Sequence, residues 1–359
     1  MTLYLLLITG FTALATTLLF PLLIRYSPAL RLMDVPNDLR KVHHRPVPSI
    51  GGLVVALALL STLPLNAPLR QLLAGHPALA TAVLALLIIG ILDDRLNLPA
   101  RGRLLAQVGC ALLVAGDDGG RLTSLHGLLG ITHLPTVAQY ALTVLILAGM
   151  ANAVNLLDGI DGLAGSLGLS NLLLFGGVAL ALNQPDWLFL LLPMAAALGV
   201  FLRFNWQPAR VFMGDGGSLV LGFLTAVLGI QFIEEASRQQ PSATALVVVV
   251  VTAGCMIPVI DTLRVFWVRL RAGRSPFSAD KNHLHHWLLR HRIAHRQITT
   301  RLTMLHLFLL ISSAIAIRWL SIAAVIAAQA LLVVGYTYLI QISHLFLRSF
   351  RLIKRLEVR

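Results

Sequence analysis

Five polar clusters interrupt an otherwise apolar chain: Arg40-Lys41-Val42-His43, Asp93-Asp94, Asn152-x-x-Asn155-x-x-Asp158-x-x-Asp161, the stretch from Asn205 to Asp215, and His283-x-His285-His286. Asp93 and Asp94 follow the apolar run from Leu84 to Leu92. At a helix C-terminus the backbone already carries partial negative charge, and each added acid costs about 0.3 kcal/mol or more. A divalent cation, a proton, or the nearby Arg95, Arg101 and Arg103 would offset that charge. Taken alone, the pair also fits a solvated helix end.

The Asn152 to Asp161 motif is more specific. A three-residue step rotates about 300° on a helix, so these four side chains cannot share one helical face. Asp158-Gly159 and Asp161-Gly162 are turn signals. The Asn pair is therefore expected to end one helix and the Asp pair to line a tight turn before the next. Capping and turn formation alone leave the apolar Val154, Leu156, Leu157 and Ile160 between them unexplained. In the run from Phe204-Asn205 through Phe212-Met213-Gly214-Asp215-Gly216-Gly217-Ser218, glycines surround one Asp just before an apolar helix. Backbone amides there can approach phosphate oxygens at a positive helix end. Asp215 can hold a Mg²⁺ that binds phosphate, or it can simply cap the helix. Three close histidines suggest zinc, yet the loop has no Cys and is rich in Arg and Lys, which suits an anion or a sugar better.

Residues scattered this widely need a scaffold that gathers them. The chain has 359 residues, 57% of them hydrophobic, with a mean hydropathy of +0.82. That composition lies outside the soluble globular range. Apolar stretches near 2–24, 49–65, 78–92, 104–116, 136–154, 164–183, 186–202, 218–233, 243–263, 302–317 and 320–346 read as about eleven transmembrane helices, an all-α polytopic membrane protein. No Lys or Arg precedes Arg25, so the first span is expected to be a membrane helix entering from outside rather than a signal peptide. All but Arg70, Arg121, Arg238 and Arg318 of the 28 Lys and Arg fall on one side of this pattern. The positive-inside rule then puts the N-terminus outside, the C-terminus in the cytoplasm, and all five clusters on the cytoplasmic face. The same distribution spreads the +13 charge over loops between helices, so a nucleic-acid partner is not expected. Cys110 and Cys255 fall in predicted helices and read as buried apolar residues. One membrane domain spanning 1–359 is the expectation.

Together with Asp34-x-Pro36 and Pro46-x-Pro48-x-x-Gly51-Gly52, the five clusters resemble, in order and spacing from about 34 to 290, the polyprenyl-phosphate N-acetylhexosamine-1-phosphate transferase superfamily. Asp261-Thr262-Leu263 and the loop from Ser275-Pro276-Phe277 to His283-Leu284-His285-His286 look like the N-acetylglucosamine branch. The branch that transfers phospho-MurNAc-pentapeptide usually carries three consecutive histidines and then an acid, whereas here Trp287 follows His-Leu-His-His. The resemblance implies transfer of N-acetylglucosamine 1-phosphate, or a related N-acetylhexosamine 1-phosphate, from a UDP-sugar to undecaprenyl phosphate. UMP would be released on the cytoplasmic side of a bacterial inner membrane, as the first membrane step of cell-envelope polysaccharide synthesis.

By the same resemblance Asp215 would coordinate Mg²⁺, with Mn²⁺ as a substitute, and Asp93 or Asp94 would act on the lipid phosphate or at the metal. Asp158 and Asp161 join them as catalytic candidates, lining the nucleotide with Asn152 and Asn155. Asn205 would contact substrate, Phe212 would stack on uracil, Lys41 would reach the nucleotide or its phosphates, and His283, His285 and His286 the sugar or its phosphate. Some superfamily members place Lys after the Asp pair where this chain has Arg101 and Arg103, and a guanidinium fork differs from a point charge. A homodimer is compatible with the family. Outside it, a secondary transporter is the main alternative, but transporters put ionisable groups near the bilayer midplane rather than at helix ends.

Overall fold

The computed structural model describes residues 2–36, 45–117, 119–275 and 293–356. Lys41, His283, His285 and His286 lie outside these residues. Among the described residues twelve α-helices run in order: α1 Thr2–Leu30, α2 Gly51–Thr62, α3 Ala67–Gly75, α4 Pro77–Leu96, α5 Ala100–Ala115, α6 Thr136–Leu157, α7 Leu163–Ala181, α8 Leu188–Asn205, α9 Gly214–Gln239, α10 Pro241–Arg271, α11 His295–Ala316 and α12 Ile322–Leu356. Among the described residues nine helices are long and apolar enough to cross a membrane, or ten if α2 and α3 are one bent span.

Each of the eleven apolar stretches contains a helix, but the helices of two stretches are too short to count as spans by themselves, so the expected eleven spans become nine or ten. In the second stretch α2 has only 12 residues and ends at Thr62, and α3, just beyond the stretch, leaves it at 109°. Pro64 has no N–H to continue the ladder, although Leu63 before it keeps helical geometry. Asn66 then caps α3 by accepting from the Leu69 amide at 3.1 Å. The fourth stretch, α5, is only 16 residues long.

In a bilayer every backbone group must be bonded internally, so apolar runs of this length become helices. α9 is the most enclosed of them and packs against α2, α4, α6, α7 and α10. Its glycines allow this. A Cβ on Gly90 of α4 would lie 2.3 Å from the Gly216 Cα, and one on Gly52 of α2 would lie 2.2 Å from the Gly217 Cα. Small residues at such crossings let membrane helices touch backbone to backbone.

The C-terminal ends of α4 and α6 and the N-terminal ends of α5, α7 and α9 meet at one end of the bundle, as the hydrogen bonds described below require. A short antiparallel ribbon lies at the same end, with Met33 opposite Pro48 and Asp34 opposite Val47. The chain just before α9 joins its edge: the Phe212 amide donates to the Pro48 carbonyl at 2.8 Å, and the Gly51 amide to the Phe212 carbonyl at 2.9 Å. The segments preceding α2 and α9 are thereby fixed to each other.

Candidate active site

Asp93 sits one turn inside the end of α4, which closes at Asn97 in the left-handed conformation. Its carboxylate is 5% exposed. Oδ1 accepts from the Leu98 amide at 2.7 Å, and Oδ2 pairs with Arg103 Nη1 at 2.6 Å. The same Arg103 nitrogen reaches Asp215 Oδ2 at 3.3 Å. One guanidinium, presented by the first turn of α5, thus bridges the acids of α4 and α9.

Asp215 is the second residue of α9, and the preceding Gly214 has φ +75°. Its Oδ1 accepts from Asn155 Nδ2 at 2.7 Å, and that nitrogen also lies 2.9 Å from Ser218 Oγ. Asp215 does not cap its own helix. Asp94 does so from α4, its Oδ2 accepting from the Asp215 amide at 2.9 Å. The negative carboxylate meets the positive end of α9, which favours the pair. This alters the expected phosphate cradle: the Asp215 amide is already bonded to the chain's own acid.

α6 ends at Leu157 and α7 begins at Leu163, so the Asn pair does close one helix and the Asp pair does line the turn. Asn152 lies a turn deeper than Asn155, donating to Gln107 Oε1 of α5 and to the Ala148 carbonyl. Asp158 is partly open to solvent at its surface. The surrounding protein nevertheless desolvates its carboxyl and holds its pKa well above the usual carboxylate range, and repulsion from Asp215, Asp94 and Asp161 adds to the shift.

Asp161 and Asn205 face the other side of that turn. Asp161 Oδ2 accepts from the Ala209 amide at 3.1 Å, and Oδ1 lies 3.3 Å from His295 Nδ1. Buried Asn205 accepts from the Gly162 amide at 2.7 Å and donates to the Val211 carbonyl at 2.8 Å. Both tie the turn to the 205–211 segment. Phe212 is half-buried beside the ribbon, and Arg101 is exposed on the first turn of α5. The structure therefore brings Asp93, Asp94, Arg103, Asn155, Asp158 and Asp215 together, with Asn152 beneath them and Asp161 and Asn205 behind. Gln107, His295 and the Ser218 hydroxyl also belong here, and no sequence motif marks the first two.

The glycosyl transferase family 4 model matches residues 76–233, the stretch that supplies all six gathered side chains. A decaprenyl-phosphate N-acetylglucosaminephosphotransferase of Mycolicibacterium smegmatis is 32% identical over 279 residues, covering 72% of this chain and 69% of that protein. The chain belongs to glycosyl transferase family 4. Other family members resemble it over still more of its length. A probable undecaprenyl-phosphate N-acetylglucosaminyl 1-phosphate transferase of Bacillus subtilis (strain 168) is 29% identical over 315 residues, 86% of this chain and 85% of its own. The undecaprenyl-phosphate alpha-N-acetylglucosaminyl 1-phosphate transferase of Escherichia coli (strain K12) is 29% identical over 281 residues, 76% and 73% respectively.

Within this family member, the gathered groups form an acid-rich cleft at a helix-bundle end. Four carboxylates stand around one directly bonded guanidinium. Such a set favours a bound cation and, through it, a phosphate-bearing ligand.

Proposed function

We propose that this chain transfers N-acetylglucosamine 1-phosphate from UDP-N-acetylglucosamine to a polyprenyl phosphate, releasing UMP. The observation that carries the reading is the cluster of Asp93, Asp94, Asp158 and Asp215 around Arg103 at one end of an apolar bundle. The family and the names of its relatives support the same activity. An oxygen of the lipid phosphate attacks the phosphorus bearing the sugar, the bond to UMP breaks, and a diphosphate-linked lipid remains in the membrane. A lipid phosphate is mostly ionised near neutral pH, so the residues have more to do in positioning than in removing a proton.

The donor set fits Mg²⁺. Its donors are hard oxygen atoms, and among the described residues no group of three or more His, Cys, Asp or Glu stands close enough to hold a metal without further ligands. Mg²⁺ commonly uses one or two carboxylates and completes its shell with phosphate oxygens and water. Asp215, with Asp93 or Asp94, would hold the ion, and Mn²⁺ would substitute. When bound, it neutralises charge on the transferred phosphoryl group. Arg103 holds the two acids apart and in register, and Asn155 orients Asp215. Asp158, Asp161 and Asn152 line the nucleotide side, Asn205 and Phe212 flank it, and Arg101, Lys41, His283, His285 and His286 supply the outer substrate contacts.

The basic loops support an orientation with the N-terminus outside and this cleft on the cytoplasmic face of a bacterial inner membrane. Eleven crossings, counting α2 and α5, make one membrane domain of residues 1–359. The decisive experiment mixes purified protein with UDP-N-acetylglucosamine, undecaprenyl phosphate and Mg²⁺. UMP is expected only when all three are present, and chelation should stop it. UMP release without lipid, or no release from UDP-GlcNAc, UDP-GalNAc or UDP-MurNAc-pentapeptide, overturns the reading.

A further inference from the structure

The turn that carries Asp158 is gripped from behind by the first turn of α11. His295 Nδ1 lies 3.3 Å from the Asp161 backbone nitrogen and 3.3 Å from Asp161 Oδ1. One helical turn later Thr299 Oγ1 donates to the Asp161 carbonyl at 2.7 Å. Between them, the Arg296 amide donates to Gln207 Oε1 at 2.8 Å. Since Asp161 Oδ2 also accepts from the Ala209 amide, α11, the 158–162 turn and the 205–211 segment form one bonded unit.

An imidazole suits this place. Unprotonated Nδ1 accepts from the Asp161 N–H, and protonated Nδ1 donates to the Asp161 carboxylate, so the same nitrogen holds the same residue in either state. The two side chains are 14% and 13% exposed, which limits competition from water. Nor is His295 needed to cap its helix: the cap position is Ala294, with no side-chain bond.

The geometry points to His295 as a positioning residue of the reaction centre: through Nδ1 it fixes Asp161, and through the five-residue turn it fixes where Asp158 stands relative to Asp94 and Asp215. This rests on the transferase reading above. His295 touches no reacting atom, and its effect is on the placement of Asp158 against the acids Asp94 and Asp215.

The test compares wild type with His295→Ala, His295→Asn and His295→Gln, reading kcat, KM for UDP-N-acetylglucosamine and the melting midpoint. Asn puts a polar atom where Nδ1 was, and Gln puts one where Nε2 was. Misplacing a reacting group by about 1 Å can cost on the order of 100-fold in rate. His295→Ala should therefore lose about 10- to 100-fold in kcat with KM changed less than about 3-fold. His295→Asn should return to within about 3-fold of wild type, and His295→Gln should stay low. Should the Ala variant not fold, the Asn and Gln pair decides, because both fill the site. An Ala variant with wild-type kcat, a Gln variant as active as Asn, or activity that merely tracks the melting midpoint overturns the inference. Wild-type protein inactive on every UDP-sugar overturns instead the transferase reading.

Discussion

At the residue scale the site is a concentration of negative charge that the fold tolerates only in part. Asp93 accepts from an amide and pairs with a guanidinium, and Asp94 accepts from the first turn of α9. Among the described residues Asp158 has no such partner, and its carboxyl is held well above the usual range by burial first and by its acidic neighbours second. A carboxyl whose folded pKa is raised binds more protons in the native than in the unfolded state. Its contribution to stability is complete below the unfolded value, about 4, and is lost as pH rises toward the folded value, by at most about 1.4 kcal/mol per pH unit. Asp158→Asn removes the ionisation altogether. The expected result is a variant that turns over poorly yet melts higher than wild type without ligands, by a margin that widens as pH rises from about 4. Thermal unfolding of both proteins across a pH series measures this. A margin that shrinks with pH would mean that Asp158 is better stabilised ionised than neutral.

At the element scale, the acids meet because glycines let three helices touch. Asp94 can reach the Asp215 amide only if α4 and α9 approach at Gly90 and Gly216. Gly90→Ala would put a methyl 2.3 Å from the Gly216 Cα, and backbone cannot yield as a flexible side chain does. Overpacking of this kind costs about 1–3 kcal/mol. The variant should melt lower and lose most of its turnover, while Gly75→Ala, with open space around its Cβ, should leave both unchanged. Equal behaviour of the two in melting and turnover assays would show that the crossing is not what aligns the acids. None of this pairing is legible in the chain. Apolar stretches announce helices because a bilayer leaves the backbone no other arrangement, but which glycine faces which is decided by packing between distant segments. The same limit applies to the site. Asp93, Asp94, Asn155, Asp158 and Asp215 stand out as polar residues in apolar or glycine-rich surroundings. Gln107 and His295 are single residues without a local pattern, and Asp94 as a cap for a helix 121 residues away leaves no trace in spacing.

At the scale of the whole molecule, the chain must return to one face before each acid-bearing segment. The C-terminal ends of α4 and α6 and the N-terminal ends of α5, α7 and α9 share the cleft, so an odd number of crossings brings the chain there from the start of α1. α5 is the weak point, since 16 residues rise about 24 Å against a core of about 30 Å. The exposed Arg101 at its start can extend toward the interface and make up part of the difference. If α5 crosses, the 116–135 connection lies outside and the start of α5 lies inside. With Cys110 and Cys255 replaced by Ala, His133→Cys should react with a membrane-impermeant maleimide in intact cells. Ala100→Cys, at the start of α5, should react only after the membrane is opened. Both positions are solvent-exposed, so a failure to label reports sidedness rather than burial. Labelling of both in intact cells would mean that α5 does not span, and the reverse pattern would place the cleft and its basic loops on the outer face, away from a cytoplasmic nucleotide donor.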